Sequence, residues 1–249
     1  MILCCSDHIS QNYFTLTLNI NGELEQNIYL SKRDAGKWVN IDSSSVITGE
    51  IVFNGKIEEP EMFYLRSGSD LTNIFMEAGK IAFTAHADSI NKGITNGSET
   101  QEELDSFNKS ISSITEQLDT LYNQYRIAVR NDDQVRLEKL NELIEIKDSK
   151  RLARTIDYAY ANNKSIVSAY LIMKNNYYLE LAELDSITSN FDYSISKTKY
   201  VKALQDRVTS LNRVAIGDSF TDFSLNDTTG NPLLLSSLVG ENYLLIDFW

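Results

Sequence analysis

The hydrophobic period changes near residue 100, and that change restricts the folds open to this chain. Before it, apolar side chains alternate: across Tyr13-Phe14-Thr15-Leu16-Thr17-Leu18-Asn19-Ile20, the residues Phe14, Leu16, Leu18 and Ile20 share one face. After it, Leu104, Phe107, Ile111, Ile114, Leu118, Leu121 and Tyr125 advance in alternating steps of three and four, the seam of a long helix. Neither pattern can place its apolar residues on one side in the other conformation. The expectation is an α+β protein whose sheets and helices are segregated along the chain.

Turn residues divide the first part into strands. Asn21-Gly22 predicts a tight hairpin turn, Asn27 to Leu30 its return strand, and Asp34-Ala35-Gly36 the next turn. Trp38 to Ile41, Glu50 to Phe53, Met62 to Leu65, Asn73 to Met76 and Lys80 to Ala85 continue as strands. Gly49, Asn54-Gly55, Ser67-Gly68 and Gly79 punctuate them at the spacing of an antiparallel sandwich or barrel. Gly49, Gly55 and Gly79 are read as turn or bulge glycines. In the second part Thr100 and Glu103 have capping-box spacing, so a helix is expected to start there. Asn131-Asp132-Asp133 breaks it and caps a second helix carrying Val135, Leu140, Leu143, Ile144, Leu152, Ile156 and Ala159. The two form a helical hairpin that packs on itself, in preference to a dimerising coiled coil. Shorter helices follow over Ile166–Met173, Leu179–Phe191 and Ser196–Leu211, the first opened by Asn163-Lys164-Ser165. This gives four segments: a flexible N-terminus (1–11), a β-rich domain (12–100), a helical region (101–213) and a final piece (214–249).

Charge narrows the partners. The 249-residue chain has 35 acidic and 23 basic residues, a net charge of −12, which repels a nucleic acid backbone or an anionic membrane surface. No run of apolar side chains is long enough to span a bilayer, so membrane attachment would need a covalent lipid. The two cysteines, Cys4 and Cys5, are adjacent and poorly placed to bridge each other. His8 and His86 are far apart with no Cys/His ligand pattern, and the acidic pairs lack calcium-loop spacing, so neither metal nor cofactor is expected.

The final piece is Gly217-Asp218-Ser219-Phe220-Thr221-Asp222-Phe223-Ser224-Leu225, then Thr229-Gly230-Asn231, Leu235-Ser236-Ser237-Leu238, and an apolar run Tyr243 to Trp249 read as a buried strand. That order resembles the opening of the thioredoxin-like domain in TlpA/ResA-type and peroxiredoxin-type (AhpC/TSA) proteins. There the strand ends Asp-Phe-Trp and a Cys-x-x-Cys redox pair follows within a few residues. Upstream, Ile41-Asp42-Ser43, Gly49 to Ile57, Pro60, Phe63-Tyr64-Leu65, Phe75 to Ile81 and Thr95 to Thr100 resemble a domain of unknown function, DUF4369-like. In a group of bacterial envelope lipoproteins it precedes such a redox domain. The helices between 160 and 213 resemble the linker helices of the same group.

The resemblance implies an envelope thiol–disulfide oxidoreductase, periplasmic or anchored to the outer membrane, of which this chain is the front portion, cut before the redox cysteines. Its partners would be protein thiols and disulfides, and the chain itself would be redox-inactive. Met1-Ile2-Leu3-Cys4-Cys5 looks like the end of a lipoprotein signal, making Cys5 or Cys4 the lipidation candidate. Asp247 is the candidate catalytic residue: it matches the acid that relays protons beneath the dithiol in thioredoxins, a role confined to the intact protein. Phe248 and Trp249 match the aromatic approach to that site. The alternative is a non-catalytic envelope module that binds a protein or glycan.

Overall fold

In the computed structural model, described for residues 12–34, 36–45, 49–240 and 243–247, the alternating segments form two open four-stranded sheets. The first contains β1 (Tyr13–Asn21), β4 (Gly49–Lys56), β7 (Gly79–His86) and β8 (Ile94–Asn96), in the order β4-β1-β7-β8. The second contains β2 (Ile28–Asp34), β3 (Lys37–Ser44), β5 (Glu61–Ser67) and β6 (Asp70–Met76), in the order β3-β2-β5-β6. Phe14, Leu16, Leu18, Phe53, Ile81 and Phe83 from one sheet share a buried cluster with Ile28, Leu30, Phe63, Leu65, Ile74 and Met76 from the other. The Phe14 and Phe63 rings meet edge to face across it, 5.9 Å apart. The architecture is therefore a sandwich of open sheets, and the barrel-like option is set aside.

Two expectations about pairing are corrected. Asn21-Gly22 does not close a hairpin: Gly22 has the positive φ of +93° expected of a turn, but the chain passes there to the opposite sheet. β1 instead pairs antiparallel with β4 (Leu16↔Phe53) and parallel with β7 (Leu18↔Phe83), so the sandwich contains one parallel pair. Turn chemistry reports local backbone shape, whereas the strand partner is chosen by which apolar faces can be buried together. β2 and β3 do make a true hairpin, with Asp34 opposite Lys37 and Gly36 at φ +77°.

Gly55 is not a turn residue either. It lies inside β4 opposite Phe14, and a Cβ built on it would stand 2.6 Å from the Phe14 ring. A close approach of ring to backbone requires glycine there.

The helices form a third layer. α1 (Glu99–Arg130) and α2 (Gln134–Ala161) make the expected hairpin, joined through Asn131, Asp132 at φ +51°, and the N-cap Asp133. α3 (Ile166–Asn175) begins at Ser165, whose hydroxyl accepts from the Val167 and Ser168 N–H groups, 3.0 and 3.2 Å. α4 (Leu181–Asn190) and α5 (Lys199–Asn212) complete the layer. Leu104, Phe107, Ile111 and Leu118 of the seam are buried, and so are Leu140, Ile144 and Ala159 of α2. Val135 and Leu143 of α2 are exposed.

The start of α1 differs from the capping-box expectation. Ser98 is the N-cap, its Oγ accepting from Gln101 N–H at 3.0 Å. Glu103 instead accepts from the Tyr158 and Ser165 hydroxyls, 2.7 and 2.5 Å, tying α1 to α2 and to the start of α3.

β5 and β6 are buried on both faces, and this joins sandwich to helices. Phe63, Leu65, Ile74 and Met76 point into the sandwich, while Met62 and Phe75 enter the helical core with Leu104, Phe107, Tyr170 and Tyr200. β6 is an edge strand, and its free Phe75 groups are satisfied from α1: the N–H donates to Gln101 Oε1 (2.7 Å) and the C=O accepts from Ser98 Oγ (2.9 Å). Glutamates from the β-strand connections serve the starts of two helices. Glu77 accepts from Glu99 N–H (2.5 Å) and the Thr100 hydroxyl, and Glu59 accepts from Lys199 N–H (2.8 Å). Each places a negative charge at the positive end of a helix.

Beyond α5, Ser224–Asn226 and Pro232–Leu234 form a two-stranded hairpin (β9, β10), followed by a short 3-10 helix, Leu235–Leu238. Residues 243–247 have no regular secondary structure, so the strand expected over Tyr243 to Phe248 is absent from the described residues. Among the described residues no strand pairs with this run, and its side chains stay open to solvent, Leu245 at 92% accessible.

Candidate functional site

The residues singled out by sequence do not converge. Cys4, Cys5 and His8 lie outside the described residues, as do Phe248 and Trp249. Asp247 is exposed and sits at the rim of a shallow apolar groove formed by Phe223, Leu225, Leu233, Leu244 and Ile246 of the final segment. No cluster of three or more His, Cys, Asp or Glu suited to a metal occurs among the described residues, and no described helix is long and apolar enough to cross a membrane.

The final segment does organise its own turns. Asp227 Oδ1 accepts from Thr229 N–H (2.8 Å), Thr229 Oγ1 (2.7 Å) and Asn231 N–H (2.9 Å), and these bonds hold its carboxyl below the usual range. Asp222 Oδ1 likewise accepts from Ser236 N–H at 2.9 Å, and Leu235 N–H donates to Phe223 C=O at 2.9 Å. The Asp-Phe-x-Leu stretch and the Leu-Ser-x-Leu turn are thus held side by side.

Two clefts lie where the sandwich meets the helices, and their charge separates them. The first, about 470 Å³, is lined by Lys32, Lys56, Lys197, Lys199 and Lys202 together with Glu58, Glu59 and Glu61. Its charges are largely spent on each other: Glu61 pairs with Lys32 at 3.5 Å and with Lys199, and Lys56 pairs with Glu58 at 3.6 Å. This is a seam between layers.

The second cleft, about 620 Å³, lies between the β2–β3 hairpin and helices α3 and α5. Arg33, Lys174 and Arg207 line it with Tyr64, Tyr170 and Tyr177, and among the described residues no carboxylate does. Its size falls within the range of small-ligand sites. The arginines are held by stacking. Arg33 lies over the Trp38 ring at 4.5 Å and donates to Gly36 C=O at 2.9 Å, while Arg66 occupies a position 4.7 Å from the same ring. Trp38 in turn meets Tyr64 edge to face at 5.1 Å, and Arg207 lies 4.7 Å over Tyr177.

None of Arg33, Arg66, Lys174 and Arg207 has an ion-pair partner among the described residues, and the buried Nε of Arg207 has no hydrogen-bond acceptor. Partial desolvation first, and the charge of Arg151 second, hold the Lys174 ammonium below the ordinary lysine range, even though much of its side chain remains accessible. Burial likewise pushes the Tyr170 phenol up, and Tyr64 in the same direction, so both rings stay neutral at physiological pH. Sequence reasoning did not find this cleft. Its cations come from β2, α3 and α5, and the only available signal, aromatic residues near arginines, is too common to single out.

Residues 14–104, which span the sandwich and the start of α1, match the family model described as a domain of unknown function, DUF4369. This agrees with the reading of the N-terminal part. No curated protein and no solved structure matches the chain.

Proposed function

We propose that this chain is the substrate-positioning front portion of a bacterial envelope thiol–disulfide oxidoreductase, carried as a lipoprotein through Cys5 or Cys4. Sandwich and helices serve as a rigid platform, and residues 214–249 lead into the redox domain. The observation that carries this reading is the order of motifs from Gly217 to Trp249, with the Asp222–Ser236 bond holding its first and third pieces together. In that domain a thiolate of lowered pKa attacks the substrate disulfide and a second cysteine resolves the mixed disulfide. Asp247 would relay the proton there. None of the residues from 12 to 249 is a cysteine, so the chain supplies recognition and not redox chemistry.

Sequencing the gene past the Trp249 codon tests the proposal. A Cys-x-x-Cys within about ten codons supports it, and a stop codon or a cysteine-free continuation overturns it. The lipid is tested separately, by mass spectrometry of the N-terminus of protein purified from its native host, where an unmodified cysteine removes the anchor.

A second reading, a non-catalytic envelope module that binds a partner, is favoured by the cationic cleft, which does not depend on the final segment. A cysteine-free continuation with an intact binding cleft selects it.

A further inference from the structure

We propose that the cleft between the β2–β3 hairpin and helices α3 and α5 is a binding site for a small organic anion. Arg33, Lys174 and Arg207 receive its carboxylate or phosphate, and its planar or apolar body lies against Tyr64, Tyr170 and Tyr177. This goes beyond the oxidoreductase reading and does not rest on it.

Three independent observations lead there. The first is charge segregation. The chain carries twelve more acids than bases, yet three cations line one cleft that no carboxylate of the described residues lines. In the neighbouring cleft, by contrast, three of the five lysines, Lys32, Lys56 and Lys199, are paired with glutamates. Unpaired cations gathered in one concavity repel each other, and an incoming anion relieves that repulsion while low-dielectric walls focus the field on it.

The second is preorganisation. Guanidinium groups held over the Trp38 and Tyr177 rings, at 4.5 and 4.7 Å, have less rotamer freedom to lose, so donors that match carboxylate or phosphate oxygens are presented at reduced entropic cost. A solvated lysine patch on a flexible loop has no such restraint.

The third is an orphaned donor. The Arg207 Nε–H is buried and finds no acceptor among the described residues, so the protein itself supplies this guanidinium with neither a hydrogen-bond nor an ion-pair partner. Aromatic side chains beside it offer a surface for a ring or an acyl body, which argues for an organic anion over a free inorganic one.

The test uses the whole chain and three probes, phenyl phosphate, benzoate and inorganic phosphate, with benzyl alcohol as a neutral control. Binding is followed by amide chemical-shift perturbation and by calorimetry. Phenyl phosphate or benzoate should bind saturably, perturb Arg33, Lys174 and Arg207, and bind several-fold more tightly than inorganic phosphate, while benzyl alcohol does not saturate. Arg207→Ala and, separately, Arg33→Ala should each weaken binding by about tenfold. Arg33 lies on the exposed hairpin, so its variant keeps the test decisive even if Arg207→Ala is unstable. Absence of saturation at concentrations on the order of 10 mM, or affinities unchanged in both variants, overturns the proposal. Inorganic phosphate binding as tightly as phenyl phosphate overturns its organic part.

Discussion

The Tyr200 hydroxyl accepts a hydrogen bond of 2.8 Å from the Met62 backbone N–H, a residue 138 positions earlier in the chain. The bond exists because β2 leaves β5 after Ser31↔Tyr64, so the Met62 N–H has no strand partner, and a residue on α5 takes the place of one. Tyr200 also touches Phe75 and Tyr170 edge to face, at 6.1 and 5.4 Å. One phenol thus completes a strand's hydrogen bonding and fills the centre of the helical core.

Replacing Tyr200 by phenylalanine keeps the ring and leaves a buried N–H without an acceptor. The expected loss is about 1–3 kcal/mol in urea unfolding. Tyr170→Phe, whose hydroxyl holds no such bond, should cost less. Equal losses in the two variants would contradict the role given to the Tyr200–Met62 bond.

At the edge strand, Gln101→Ala should expose the Phe75 N–H to solvent exchange. Hydrogen exchange at that amide is expected to accelerate strongly, while Phe63, inside the sheet, stays protected. Ser98→Ala removes both the helix cap and the donor to Phe75 C=O, and about 1–2 kcal/mol of stability should go with it.

Gly93 is confined by a ring: a Cβ there would lie 2.0 Å from the Phe83 ring, which is itself buried in the sandwich. Gly93→Ala should therefore destabilise by about 1–3 kcal/mol through overpacking. Melting curves of this variant and of Gly93→Ala combined with Phe83→Leu check the cause, since the smaller side chain should recover part of the loss.

Among the described residues neither buried core contains one beyond Val208, and Leu211 is the last packed against them. A chain ending at residue 213 should therefore melt within a few degrees of the full chain. In the full chain, amides of Leu245 and Ile246 should exchange with little protection. Slow exchange at these positions, or a collapse of the shortened form, would show that the final segment packs where the structure does not place it.

The turn around Asp227 should respond to acid. Its folded carboxyl lies below the usual value because it accepts bonds from Thr229 and Asn231. Its contribution is therefore present above the ordinary aspartate pKa and is lost as pH falls through the lowered folded value. Proton titration of the Thr229 and Asn231 amide shifts should report that low midpoint, and Asp227→Asn should abolish it.

What the sequence determined by itself was the local structure. The strands from Tyr13 to Ala85, the seam from Leu104 to Tyr125, the break at Asn131-Asp132-Asp133 and the Ser165 cap depend on period and on capping atoms within a few residues. Such signals are complete in a short window. The DUF4369-like pattern could likewise be read in order along the first hundred residues. Tertiary structure decided everything that depends on which surfaces meet. It placed β1 between β4 and β7 in spite of Asn21-Gly22, buried both faces of β5, moved Glu103 from a cap to a bridge, and brought Arg33, Lys174 and Arg207 to one cleft. The physical reason is that burial is won by pairing whole apolar faces far apart in sequence, and the polar groups left at their seams are then satisfied by whichever side chains packing delivers there.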